Sequence, residues 1–251
     1  MTCREYEDSV RPTKTLNQFL SPNHGVGPSR PTSPAGSIIG LELVPSSPLP
    51  SFDEISLESL VPRIVVLVDD CLSMRGERWT KIRRALGELT KEASQRTGRG
   101  IDLHFLHWKP QQSHQNIPAE QFISIIFDSV NPNGPTSSVF GWKLCSLLAG
   151  GRTHPPTKYI FFLSGKPQEL DSIGTHITNA ARALEDPKSQ LEFEFIQFRD
   201  EISGSMTPYY AEELVQMLKQ NPVIADLVNA KIWSTKDEYS SGKLDAWTSG
   251  L

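Results

Sequence analysis

Ile64 to Val68 is an unbroken apolar run of strand length, and it ends abruptly in Asp69, Asp70, Cys71, Leu72 and Ser73. A run without polar alternation suits a strand buried on both faces of a parallel sheet. Behind it, Trp79, Ile82, Leu86, Leu89 and Ala93 recur at spacings of three and four, the apolar stripe of an amphipathic helix. Gly98 and Gly100 then punctuate the chain. The pattern next predicts a strand over 101–108 and a helix around Ala119–Phe127 with Phe122, Ile125 and Ile126 inward. Val139–Leu148 reads as another helix. Tyr159–Leu163 is a second wholly apolar strand and the expected neighbour of the first. A helix over Asp171–Leu184, a strand over Leu191–Phe198, a helix over Pro208–Lys219 and an edge strand over Leu227–Trp233 complete the series. Such alternation implies an α/β fold: a doubly wound, mostly parallel sheet with helices on both faces.

Composition changes at both ends. Residues 1–58 are rich in Pro, Ser and Gly and bury too little apolar surface to offset ordering entropy, so a disordered arm is expected there. Within it, Ser21-Pro22, Ser33-Pro34 and Ser47-Pro48 have the pattern of proline-directed phosphorylation sites. The folded domain is expected over 59–234, and residues 235–251 form a polar tail. A net charge of -4 argues against a nucleic-acid partner, which needs a dense basic face. Three scattered cysteines, Cys3, Cys71 and Cys145, supply neither a disulfide framework nor a Cys-x-x-Cys zinc site. With no apolar segment of membrane-spanning length and no secretory leader at Met1–Asp8, the expected location is cytoplasmic or nuclear.

In open parallel sheets, ligands gather beyond the carboxyl ends of the strands. Asp69, Cys71 and Ser73 alternate along the first such loop, a spacing that lets their side chains converge. This loop resembles the Asp-x-Ser-x-Ser motif of von Willebrand factor type A domains. The resemblance runs from about Pro62 to about Trp233 and includes Gly76-Glu77-Arg78-Trp79, Ile101–Leu106 and Glu194–Phe198. It implies a metal-ion-dependent adhesion site in which three loops hold one divalent cation and a partner carboxylate completes its shell.

Against that pattern the chain departs at each loop. Cys71 stands where a Ser ligand is expected, and Mg²⁺ prefers hard oxygen donors to a thiol. In the second loop, Asn133-Gly134-Pro135-Thr136-Ser137, Pro135 takes the Thr position, and Thr136 serves only if the loop slips by one residue. In the third, Ser164 replaces the Asp and Lys166 the Glu of a usual Thr-Asp-Gly-Glu-Pro. The expected residual metal ligands are Asp69, Ser73 and Thr136, and the expected partner-binding rim is Cys71, Ser164 and Lys166. The function implied is a non-catalytic, protein-binding scaffold with no obligatory cofactor. The alternative is Mg-dependent adhesion through the remaining ligands. A remote alternative is a haloacid dehalogenase-like hydrolase with Asp69 as nucleophile, for which Cys71 removes the acid/base carboxyl. His104 and His107, three apart in a predicted strand, point to opposite faces and make no metal pair.

Overall fold

The computed structural model describes residues 61–107, 113–135, 139–149, 155–165, 167, 169–199 and 210–234. The arm, the tail, Thr136, Lys166 and Trp108 lie outside the described residues. Six strands, β1 (Arg63–Val68), β2 (Ile101–Phe105), β3 (His114–Ile117), β4 (Thr157–Leu163), β5 (Leu191–Arg199) and β6 (Val228–Ser234), form one sheet in the order β3-β2-β1-β4-β5-β6. Every pairing is parallel except β2 with β3. The two apolar runs are neighbours at the centre, with Val66 opposite Ile160. The α/β architecture expected from the alternation is therefore present, and its strand order changes direction between β1 and β4. Strand β3 was not anticipated: His114-Gln115-Asn116-Ile117 carries little β-branched or aromatic character and owes its pairing to β2.

Alternate residues of β1 feed two cores. Ile64, Val66 and Val68 pack with helix α1 (Glu77–Thr97) and helix α2 (Glu120–Ser129) on one face. Val65 and Leu67 pack with α3 (Phe140–Leu148), α4 (Leu170–Arg182) and α6 (Tyr210–Leu218) on the other. A single turn, α5 (Pro187–Gln190), precedes β5. Each fully buried aliphatic or aromatic side chain contributes about 1.5–3 kcal/mol, which is why uninterrupted apolar strands sit in the middle of the sheet.

Helix α1 ends at Gly98, whose φ of 68° is the left-handed conformation that closes a helix without a Cβ clash. Trp79 packs against Phe105 and Phe127, with ring centroids 5.8 and 4.5 Å apart. In α2 the expected inward face needs correction. Ile123, Ile126 and Phe127 are buried, whereas Phe122 is 44% and Ile125 64% exposed. Five of eight residues from Phe122 to Ser129 are apolar, so periodicity alone cannot choose which three fit beneath α1. No helix among the described residues is long and apolar enough to cross a membrane.

Candidate functional site

At the carboxyl end of β1 the ladder continues one residue past the strand, with the Asp69 amide donating to Phe162 O (3.0 Å). The chain then turns, because Asp69 Oδ1 accepts from the Cys71 amide two residues on (3.0 Å), a local bond typical of Asp in turns. Asp69 Oδ2 accepts from both the amide (3.2 Å) and the hydroxyl (2.5 Å) of Ser164, which follows β4. Cys71 Sγ lies 2.9 Å from Ser73 Oγ and 2.9 Å from Ser164 Oγ. Since the Ser164 hydroxyl is already donated to Asp69, its oxygen accepts from the thiol, and the sulfur in turn accepts from Ser73. The four groups form one directed chain of hydrogen bonds ending on a carboxylate.

The second loop is held by backbone. Leu72 N donates to Gly134 O (3.2 Å), and Gly134 N to Asp70 O (3.1 Å), an isolated parallel bridge beyond the sheet. Arg75 adds its Nε to Pro132 O (2.6 Å). A Cβ on Gly134 would stand 2.4 Å from His107 Nδ1, so only glycine lets this loop pass over the imidazole.

Asp70 turns the other way from Asp69 and is 3% exposed. Its Oδ1 accepts from the His107 amide (2.7 Å) and lies 3.1 Å from His107 Nδ1, clamping the loop after β2 to the loop after β1. Lys143 of α3 is also buried; desolvation holds its ammonium below the usual lysine range, while Asp70 pulls it back up. Asp69, Asp70 and His107 place one potential ligand atom each within 4.8 Å of one another.

Of the residues expected at the site, the fold brings Asp69, Cys71, Ser73 and Ser164 together. Cys71 does not reach the rim surface: it is fully buried, its thiol held between Ser73 and Ser164. Leu72, 55% exposed, is the apolar side chain on that turn which faces outward. Sequence reasoning missed the roles of Asp70 and His107, because strand β2 ends at Phe105 and leaves His107 in the loop. The only available signal was the paired Asp69-Asp70.

The donors suit a hard divalent cation poorly. Both oxygens of Asp69 take protein donors, the third loop offers a hydroxyl in place of a carboxylate, and the central position is a thiol.

The sheet order, the single antiparallel edge and the three convergent loops define a von Willebrand factor type A-like fold. Among solved structures, the chain is similar to the ArnB paralog VWA2 from Sulfolobus acidocaldarius, at 11% identity and a TM-score of 0.38 over 70% of this chain and 41% of that one. It is also similar to the human COPII-coat protein Sec24c, at 9% identity and a TM-score of 0.41 over 75% of this chain and 31% of that one. The chain thus spans less than half the length of either. No family model and no curated protein matches it.

Proposed function

We propose that this chain is a non-catalytic protein-binding module that recruits a protein partner through the rim above the strand ends and needs no metal to do so. The observation that supports this reading is Ser164. Where the resemblance calls for a carboxylate on the ion, a hydroxyl hydrogen-bonds Asp69 directly. Donors that a cation would need are committed to one another, and hydrogen bonds join the three loops where coordination to a bridging ion would otherwise join them. Exposed Leu72 and Ser73 lie on the outer side of that turn, available to a partner.

The competing reading, adhesion through residual Mg²⁺ binding at Asp69, Ser73 and Thr136, draws support from the convergence of Asp69, Asp70 and His107. Calorimetric titration of the full chain with Mg²⁺ and Mn²⁺ separates the two. Flat heats at millimolar ion, with partner co-purification indifferent to EDTA, are expected. Saturable binding, or capture abolished by the chelator, would overturn metal independence.

A further inference from the structure

Leu72, the large apolar side chain that the rim exposes, opens a single 3-10 turn, Leu72–Met74. Met74 is fully buried and pins the turn to the core. The Arg75 amide closes the turn onto Leu72 O (3.2 Å), and residues three apart on such a turn eclipse one another. Leu72 and Arg75, both exposed, therefore sit side by side on its outer edge.

Arg75 is a surface cation with a fixed head. Its Nε donates to Pro132 O (2.6 Å) and its Nη2 to Asn131 Oδ1 (3.3 Å). Both acceptors are neutral, and among the described residues no carboxylate pairs with it. The guanidinium is thus oriented while its charge stays uncompensated. Other surface cations lack one of these two properties. Arg83 and Lys81 are neutralised by Asp128 (2.6 Å) and Glu77 (3.2 Å). Arg84 and Lys91 are exposed and make no hydrogen bond among the described residues, so capturing either costs side-chain entropy that Arg75 has already lost on folding. The two acids of the loop are turned inward, Asp69 accepting from Ser164 and Cys71 and Asp70 directed at His107. Arg78 adds a second positive charge beside the turn, its Nη1 donating to Ser73 O (3.2 Å).

We infer that the partner segment recruited at this rim is acidic: an Asp or Glu takes the free Nη edge of Arg75 while a neighbouring apolar side chain covers Leu72. The inference rests on the reading of the rim as a metal-independent docking surface and adds its specificity. A guanidinium of the first loop receives the carboxylate, with no ion between them. The planar fork of Arg presents paired N–H donors to a carboxylate, and an apolar contact alongside excludes water from the pair.

The test is selection of short random peptides displayed against the full chain in Mg²⁺ buffer, with counter-selection on Leu72→Asp, followed by fluorescence anisotropy on the enriched sequences. The expected winners carry Asp or Glu within two positions of Leu, Ile, Met or Phe, and bind equally in Mg²⁺ and in EDTA. Their affinity falls about tenfold on Arg75→Glu, and replacing the peptide's acid with Lys restores it on that variant. Arg75→Gln keeps a donor for Pro132 O but no charge; it should lower affinity about fivefold with an unchanged urea midpoint, which separates charge from bracing of the loop. Enrichment of neutral or basic peptides, no enrichment, or equal affinity for the parent and both Arg75 variants overturns the acidic partner and leaves metal independence to the calorimetric titration. Binding that EDTA abolishes would remove the metal-independent reading and this inference with it.

Discussion

His104 makes the fold acid-sensitive in a calculable way. It lies on β2 opposite Leu67 and is 7% exposed, with Nε2 buried and without a hydrogen-bond partner among the described residues. Burial first, then Lys143, lowers its pKa from 6.5 to about 4; Asp102 opposes this, while Arg63 and His114 add to it. In the unfolded chain the imidazole titrates near 6.5. Between those values the unfolded state binds more protons, so stability is fully present above about pH 6.5 and is lost as pH falls toward 4. Linkage puts the loss attributable to His104 at about 2 kcal/mol at pH 5 and about 3 kcal/mol at pH 4. His104→Leu roughly conserves volume and removes the unpaired nitrogen, so at pH 7 its stability should lie within about 1 kcal/mol of the parent. Urea unfolding at pH 7 and pH 5 measures the difference directly. The parent should lose about 2 kcal/mol more than the variant over that interval, and using the difference cancels the smaller contributions of His114 and His176, whose pKa values burial also lowers. Parallel pH dependences would show that His104 is solvated or paired, and would refute the argument.

Three further outcomes concern the site. Gly134→Ala should cost about 1–3 kcal/mol in urea unfolding, because the new methyl meets a His107 ring that Asp70 already holds at Nδ1; an unchanged midpoint would mean the loop is free to lift. Asp70→Asn keeps an acceptor for the His107 amide but removes the negative charge that favours the buried Lys143 ammonium, with an expected loss of about 1 kcal/mol. A loss under about 0.5 kcal/mol would assign the compensation of Lys143 to another group. Cys71→Ser, Ser164→Asp and Lys166→Glu combined should create measurable Mg²⁺ heats in calorimetry, since hard oxygen donors and negative charge return together. Silence from the triple variant would place the obstacle in the loop backbones rather than their side chains.

The five parallel strands were legible in the sequence because burial on two faces demands uninterrupted apolar residues, as in Ile64–Val68 and Tyr159–Leu163, whereas the short polar β3 was not. The same reading located Asp69, Cys71, Ser73 and Ser164 at strand ends, since a parallel sheet sends those loops to one edge. What those groups do to one another was decided by tertiary structure. The Asp69–Ser164 bond spans 95 positions and the Asp70–His107 bond 37, and both exist only because β1 lies between β2 and β4. Likewise, the apolar residues of α2 outnumber the places beneath α1, so the neighbours determined that Phe122 and Ile125 face solvent. Local pattern reports which side chains avoid water; which partner each one meets depends on chain segments far away in sequence.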